Sequence, residues 1–183
     1  MIMKKNVWIA IALVVAVFSF SSCGTQQSAT QPTSKPVTTD TVVSVEPIKD
    51  VISIAEALDV FQNPDKTAAI TKKYGYKLKT NYEVYRLDKF SKMYYKNCAL
   101  AKLLTADKYE DYPKPMRKGV SSYVAFKDGA IIIAVFNQPA YDNLVAQVKA
   151  AGFTLDMPGN EDIYKKGNRT IACYKDGKSV RIE

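Results

Sequence analysis

Hydrophobic and polar positions divide this chain of 183 residues into three stretches. Residues 7–18 are uniformly apolar. Residues 24–47 are rich in Thr, Ser, Gln and Pro and contain no aromatic residue and no apolar periodicity, a composition that predicts a flexible linker. From residue 48 onwards, apolar residues recur at the spacings of helices and strands. The pattern therefore predicts a single folded domain, 48–183, preceded by a linker.

Three helices are predicted from their start and end signals. Ser53 and Glu56 form an S-x-x-E capping box ahead of the run IAEALDVF. Asn63 precedes Pro64, so we expect Asn63 to cap a second helix, which Gly75 ends. The third helix has an apolar stripe made of Leu144, Val145, Val148 and Ala151, and a polar face made of Asn143, Gln147 and Lys149.

The apolar runs outside these helices predict an antiparallel sheet. Asp128-Gly129 joins two such runs and is a strong hairpin signal, and 131–136 is apolar on both faces, as in a central strand. Further strands are predicted near 82–87 and 92–100 and around the turns at Gly167-Asn168 and Asp176-Gly177, with Ile171, Cys173, Val180 and Ile182 pointing inward. Helices on one face of an antiparallel sheet define an α+β fold.

A similar short sequence occurs twice in the domain. The sequence VFQNP at 60–64 returns as VFNQP at 135–139, and the stretch that each opens ends in a glycine followed by an aromatic residue, at Gly75 and Gly152. An internal duplication is one interpretation. Independent helix punctuation is the other, because Asn or Gln before Pro starts helices, and Gly ends them, wherever they occur.

A duplication would divide the domain into halves, 48–118 and 119–183. The arrangement of helices and strands resembles that of proteins of the beta-lactamase inhibitor protein type. That resemblance implies two degenerate helix-plus-sheet repeats, and it is one of architecture alone.

The apolar run near the start of the chain leads to FSSC, in which Ser21 and Ser22 precede Cys23. Twelve apolar residues are too few for a helix that spans a bilayer, which needs about 20. FSSC resembles the lipobox of bacterial, Bacteroidetes-type lipoproteins. The resemblance implies that residues 1–22 are a signal peptide, and that Cys23 is acylated, for example with palmitate, at the start of the linker 23–47. An ordinary secretory signal is the alternative.

The same resemblance carries an expectation about location. Gly24 follows the cysteine where an aspartate would retain such lipoproteins, which implies transfer to the outer membrane. The tail GTQQSAT lacks the acidic cluster associated with surface export, which favours the periplasmic face over the cell surface. We therefore expect an envelope protein whose contact with the membrane is its lipid anchor.

Cys98 and Cys173 are the cysteines that remain in the folded part. An oxidising envelope and their similar places in the two candidate repeats make a disulfide between them one interpretation. The alternative is a pair of buried free thiols, since Cys173 lies on the apolar face of a predicted strand.

The sequence contains no histidine, no P-loop and no serine followed three residues later by lysine. The lack of histidine excludes histidine-based nucleophilic catalysis and most zinc sites, so we expect no cofactor and no metal. Glu110 and Asp111 remain as candidates for a carboxylate-dependent hydrolase. The acidic stretch 156–162 contains oxygen ligands suited to calcium but not the EF-hand spacing, and we interpret it as a solvated turn.

Residues 72–96 are the strongest anomaly of composition, with eight basic and two acidic residues and six of the twelve tyrosines. Tyrosine rings and cations together suit an anionic glycan, a lipid head group or an acidic protein surface, whereas nucleic acid does not fit the compartment. The best candidates for ligand contact are Lys77, Lys79, Tyr82, Tyr85 and Arg86. The alternative is that the tyrosines are half-buried strand residues and the lysines only solubilise the surface.

These observations favour a membrane-anchored envelope lipoprotein with a non-catalytic binding domain for an anionic envelope component or a protein partner. A carboxylate-dependent envelope hydrolase and an inhibitor-like module that binds proteins are the alternatives.

We predict that Cys23 carries the lipid. In cells grown with labelled palmitate, the wild-type chain should take up label and the Cys23→Ala variant should not. Cys98→Ala is the matched control, because it removes a cysteine of the folded part and should keep the label. Equal labelling of wild type and Cys23→Ala would contradict the assignment.

Overall fold

The structure is a computed structural model that describes residues 44–84, 87–100, 112–116 and 119–183. The described residues have an α+β fold. Its helices are α1 (Ile54–Gln62), α2 (Thr67–Lys73) and α3 (Gln138–Ala150), with a 3-10 turn at Pro64–Lys66. Its strands are β1 (Lys77–Val84), β2 (Asp88–Lys96), β3 (Cys98–Ala99), β4 (Lys114–Pro115), β5 (Ser122–Lys127), β6 (Ala130–Val135), β7 (Thr154–Met157), β8 (Glu161–Lys166), β9 (Arg169–Tyr174) and β10 (Ser179–Ile182).

Eight of these strands form one antiparallel sheet in the order β1-β2-β5-β6-β10-β9-β8-β7, and β3 pairs with β4 separately. The sheet consists of two meanders, β1-β2-β5-β6 and β7-β8-β9-β10. The last strand of each meander pairs with the other at the centre, where Ile133 lies opposite Val180. Chain order therefore runs inward from each edge of the sheet.

The capping box predicted at the start of α1 is present. Ser53 Oγ accepts a hydrogen bond from the Glu56 amide at 3.2 Å, and Glu56 Oε2 accepts one from the Ser53 amide at 3.2 Å. Glu56 also accepts hydrogen bonds from Lys73 Nζ, at 2.7 Å, and from the Tyr74 hydroxyl. The carboxylate thus ties the start of α1 to the end of α2.

The start of the second helix differs from the prediction that Asn63 caps it. Its side chain does not cap a helix, because its amide nitrogen instead donates to Asp59 Oδ1 at 2.8 Å. The chain continues through the 3-10 turn and only then enters α2. Asn137 caps α3, because its Oδ1 accepts a hydrogen bond from the Ala140 amide at 2.9 Å.

Helices α1 and α3 pack on β6 and β10 and on each other, and together they enclose the main core. Leu144 and Val148, from the predicted apolar stripe, are buried there. The prediction that Gln147 lies on a polar face is wrong, because it is only 8% exposed. Its Oε1 accepts a hydrogen bond from the Ile54 amide at 2.9 Å, one of the amides that a helix start leaves without an internal partner.

The central strands follow the sequence pattern. Asp128 and Gly129 have φ angles of 49° and 83°, as a two-residue hairpin requires, and join β5 to β6. The four residues predicted to point inward from the later strands are 0–1% exposed: Ile171, Cys173, Val180 and Ile182. Strand β7 was not predicted, because its alternation of Leu155 and Met157 with polar residues covers only four positions, and all four are exposed.

A second, smaller core lies on the sheet face that none of the described helices covers, which we call the helix-free face. It consists of Tyr82, Val84, Phe90, Met93 and Ala125. The buried residues Phe90 and Met93 of β2 are three positions apart, so the alternation of side chains between the two sheet faces is interrupted between them. Asn81, on the paired strand β1, lies beside this interruption and has a left-handed φ of 50°. That irregularity turns Phe90 to the same face as Met93.

The Glu56 network gives a prediction about pH. Burial raises the pKa of Glu56, but hydrogen bonds from Lys73, Tyr74 and Ser53 outweigh it and lower the pKa from 4.5 to about 2. A lowered folded-state pKa stabilises the protein above the unfolded-state pKa, and this stabilisation is lost as the pH falls from about 5 to 2. Glu56→Gln should therefore lower the free energy of unfolding at pH 7 by about 1 kcal/mol.

The difference between wild type and Glu56→Gln should narrow as the pH falls through that window, as measured by urea denaturation at several pH values. Glu83→Gln is the control, because Glu83 is exposed on β1 and takes no part in a helix cap. A difference that stays constant from pH 7 to pH 2 would show that the charge of Glu56 does not contribute.

Candidate functional site

The candidate site is built on the sheet face without helices. Strand pairing aligns one residue from each of seven strands into a row: Lys77, Tyr95, Tyr123, Ala134, Ser179, Tyr174 and Glu161. The neighbours of Tyr123 along β5, Ser122 and Val124, point to the opposite face, where Val124 joins the helix-covered core. The row therefore crosses the face that the helices leave open, and we call it the central row.

A cavity of about 410 Å³ lies over the middle of this row, and we call it the aromatic groove. Ala134 and Ser179, which are paired residues of β6 and β10, are among the small side chains that line it. Its aromatic lining comes from Phe90, Tyr112, Tyr123, Phe136 and Tyr174. Small residues in the centre and rings on both sides give the groove its depth.

Tyr123 and Tyr174 lie on opposite sides of the groove. Tyr123 packs against Phe136 with ring centroids 6.2 Å apart, and burial raises its pKa to about 12. Tyr174 is 37% exposed, and its ring lies against Gly177 in the β9–β10 turn. A Cβ atom on Gly177 would approach the Tyr174 ring to 2.5 Å, so only glycine leaves room for the ring in this position.

An ion pair lies where the aromatic groove meets a neighbouring cavity. Lys127 Nζ donates to Asp88 Oδ1, and the Tyr112 hydroxyl donates to Asp88 Oδ2. Burial raises the pKa of Asp88, but these two hydrogen bonds outweigh it and hold the pKa below its usual value. The hydrogen bond to Asp88 likewise raises the pKa of Lys127. Both groups are therefore charged at neutral pH.

Arg181 supplies a second polar group to the groove. Its Nη2 lies 3.1 Å from Glu161 Oε2, and its Nε lies 2.7 Å from Glu183 Oε1. A neighbouring cavity of about 560 Å³ shares Asp88, Ile132 and Arg181 with the aromatic groove and extends toward the β5–β6 turn. The two cavities therefore adjoin along the same three side chains.

The binding residues predicted from sequence differ in their exposure. Lys77 and Lys79 are exposed on β1, and their partners across the strand pair, Tyr95 and Met93, place both lysines on the same sheet face as the groove. Tyr82 is only 3% exposed and stacks on Phe90 with ring centroids 6.4 Å apart. Tyr82 is therefore a core residue, and it does not offer a ring face to a ligand.

Several predicted residues lie outside the described part of the chain. They are Cys23 and, in the domain, Tyr85, Arg86, Glu110 and Asp111. In the acidic stretch 156–162, Asp162 accepts a hydrogen bond from the Gly159 amide at 3.1 Å, and Asp156 pairs with Lys165 at 2.8 Å. Among the residues of the described ranges, none belongs to a helix that is both long and apolar enough to cross a membrane.

The disulfide considered from sequence is not formed, since Cys98 and Cys173 are both free and buried. The Cys98 thiol donates to the Ser122 carbonyl of β5, and β6 and β10 lie between β5 and Cys173 on β9. Three strand spacings amount to about 14 Å, whereas a disulfide needs Cα atoms within about 7 Å. Burial raises the pKa of Cys98 to about 11 and of Cys173 to about 12, so both thiols are protonated.

Sequence reasoning missed the aromatic groove because its residues are scattered over the chain. Between Asp88 and Arg181, the groove draws on β2, β5, β6, β8, β9 and β10 and on residues near Tyr112, Phe136 and Gly177. The useful signal was the alternation in β5 and β6, where Tyr123 and Ala134 sit between core residues. Only the register of the strands brings them side by side.

No protein-family model, curated protein or solved structure matches the chain. The resemblance to the beta-lactamase inhibitor protein type therefore stays a prediction about architecture. What the site does has to be argued from its geometry.

We predict that truncation of two tyrosines of the helix-free face lowers the stability of the protein by very different amounts. Tyr82→Ala should lower the free energy of unfolding by about 3 kcal/mol, because it removes a buried ring from the second core. Tyr174→Ala should cost less than about 1 kcal/mol, because its ring is partly exposed. Urea denaturation measures both, and equal losses would contradict this division into a core tyrosine and a groove tyrosine.

Proposed function

We propose that the protein is a lipid-anchored envelope protein with a non-catalytic binding domain, and that the helix-free sheet face is its binding surface. The observation that carries the proposal is the placement of the aromatic groove and of Lys77 and Lys79 on that one face. Exposed rings and partly buried charged groups that converge in a concave site are typical of ligand binding.

The charged groups of the groove favour binding over hydrolysis. A carboxylate-dependent hydrolase needs one carboxyl group with a raised pKa to act as a general acid. Asp88 has the opposite shift, because Lys127 and Tyr112 hold its pKa below the usual value. Glu161 is paired with Arg181, so it too is engaged by a cation. An inhibitor-like module for protein partners is the second candidate, because aromatic rings and arginine are enriched where proteins bind each other tightly.

The lysines of β1 supply the contact for an anionic envelope component, such as an acidic glycan or a lipid head group. Lys77 and Lys79 lie two residues apart on one face of an edge strand, and both are exposed. Lys89 and Lys92, on the neighbouring strand, are exposed as well, but Lys92 alternates with Met93 and therefore points to the other face of the sheet. Together these side chains give the β1–β2 end of the sheet a positive charge, which attracts phosphates and carboxylates.

The anchor and linker suit such a role. An acylated Cys23 holds the chain at the membrane, since each buried methylene contributes about 0.8 kcal/mol and several acyl chains together desorb slowly. On the prediction that 24–47 is a flexible linker, its 24 residues reach roughly 30 Å as a coil and at most roughly 75 Å when extended. The domain can thus search for its ligand on the periplasmic side of the outer membrane while it remains attached.

We further propose that the domain arose by duplication of a unit with one helical segment and a four-stranded meander. Gly75 and Gly152 end α2 and α3 with left-handed φ angles of 73° and 83°. At each, the glycine amide donates to the carbonyl three residues before, and the following Tyr76 or Phe153 amide donates to the carbonyl five residues before its own position. Both aromatic residues are buried, and a four-stranded meander follows each.

On this proposal the halves divide at residues 136–137, not at 118–119, because β5 and β6 continue the first meander. Cys98 and Cys173 are not equivalent, since one follows a second strand and the other lies on a third. The two VF-x-x-P stretches are not equivalent either. Residues 60–61 lie in the last turn of α1, whereas Val135 is the last residue of β6. The turn geometry and strand order, rather than the repeated letters, support the duplication.

Charge reversal of the β1 lysines tests the anionic contact. In a protein that begins at residue 24 and therefore carries no acyl chain, Lys77→Glu with Lys79→Glu should weaken binding to phosphatidylglycerol vesicles and to oligogalacturonate by about tenfold or more at low salt, and the difference should shrink at about 0.5 M salt. The two probes separate a lipid source of negative charge from a glycan source. Vesicle co-sedimentation and calorimetry measure the effect.

The control is Lys72→Glu with Lys149→Glu, which changes the net charge equally, at exposed positions of α2 and α3. Binding should change much less in the control than in the β1 variant, provided that both are folded by circular dichroism. If the two variants lose binding equally, only the net charge matters and the β1 surface is not the contact.

A further inference from the structure

We propose that the aromatic groove binds a neutral saccharide chain. This inference rests on the proposal that the helix-free face binds ligands, and it adds a ligand class that differs from the anionic contact of the β1 lysines. The shape of the groove, the balance of its charges and the position of one tyrosine ring support it.

The shape suits flat, polar rings. Tyr123 and Tyr174 are three strand spacings apart on the central row, about 14 Å between backbones, and only Ala134 and Ser179 stand between them. The side chains therefore form a trough with an aromatic ring on either side. A sugar ring has an apolar C–H face that packs on an aromatic ring, while its hydroxyl groups point sideways to hydrogen-bonding partners.

The charges disfavour an anionic ligand here. The charged residues that line the groove and the adjoining cavity are Asp88, Asp128, Glu161 and Glu183 against Lys127 and Arg181. Carboxylates therefore outnumber cations by four to two, and both cations are paired with carboxylates. Hydroxyl groups both donate and accept hydrogen bonds, so a neutral polyol can bridge such fixed pairs without bringing in a charge that must be neutralised.

The length of the site favours a chain over a single sugar. The groove of about 410 Å³ adjoins the cavity of about 560 Å³ through Asp88, Ile132 and Arg181. Each volume lies in the range of sites for small ligands, so the two together accommodate several sugar units. Asp88 and Arg181, at the junction, are placed to contact a unit in either cavity.

Gly177 positions the exposed ring. Its φ angle lies outside the left-handed region, so the backbone itself tolerates alanine, but the added Cβ would come within 2.5 Å of Tyr174 Cδ1 and 2.7 Å of Cε1. Gly177→Ala therefore displaces the Tyr174 ring without removing a side chain. Gly159→Ala is a matched control, because its Cβ would meet only the Glu161 carbonyl oxygen at an ordinary 3.4 Å.

The experiment is calorimetric titration of the full-length protein, purified in detergent, with tetrasaccharides of glucose, mannose and N-acetylglucosamine and with tetragalacturonate as the acidic counterpart. We expect at least one neutral tetrasaccharide to bind and to bind more tightly than tetragalacturonate. Tyr174→Ala should weaken that binding about tenfold, whereas Tyr174→Phe, which keeps the ring, should stay within about threefold of wild type. Gly177→Ala should weaken it and Gly159→Ala should not.

The inference is overturned if none of the three neutral tetrasaccharides binds, if tetragalacturonate binds more tightly than all of them, or if Tyr174→Ala binds as well as wild type. These outcomes leave the proposed function standing when phosphatidylglycerol vesicles still bind the protein without its acyl chain and Lys77→Glu with Lys79→Glu still weakens that binding at low salt. If vesicles and saccharides both fail to bind, the helix-free face is not the binding surface and both proposals fall.

Discussion

The pairing of β6 with β10 is the contact on which the rest of the domain depends. Residues 131–134 lie opposite 179–182 and join two meanders that are otherwise far apart in the chain. Helices α1 and α3 both pack over this strand pair. The same pairing brings Ala134 beside Ser179 in the middle of the aromatic groove, so one interaction organises both faces of the sheet.

The period of two along these strands explains how the two faces come to differ. Ile133 and Val180 point to the helices and are fully buried, and branched side chains of this kind fill the space between a sheet and a helix. Their neighbours Ala134 and Ser179 point the other way and are small, so they leave a depression that larger residues would fill. Large and small residues that alternate along the same two strands therefore fill the space under the helices on one face and leave the groove on the other.

The sequence predicted the elements whose signals are local. The capping box at Ser53, the hairpin at Asp128-Gly129 and the inward alternation around Val180 depend on residues close in the chain, and all three are present. It failed for Gln147, because the Ile54 amide that Gln147 binds is 93 residues away. The aromatic groove was missed for the same reason, since strand register, and not local pattern, sets its residues side by side. Lys77 and Lys79 lie exposed on β1, which begins before the strand predicted near 82–87, and Tyr82 was assigned to binding although it is a core residue.

The position of Lys77 and Lys79 on an edge strand gives these residues two physical roles at once. Among the described strands β1 is at the edge of the sheet, and Leu78 between the lysines is 50% exposed, a combination that favours aggregation by strand pairing. Charged residues on the edge prevent that pairing through repulsion and solvation, whichever sign they carry. Replacing the lysines with alanine would therefore lose the protection together with any binding of anions, and the two effects would be confounded. Charge reversal keeps the edge charged and soluble, so a loss of anion binding in that variant reports on the sign of the charge at the surface.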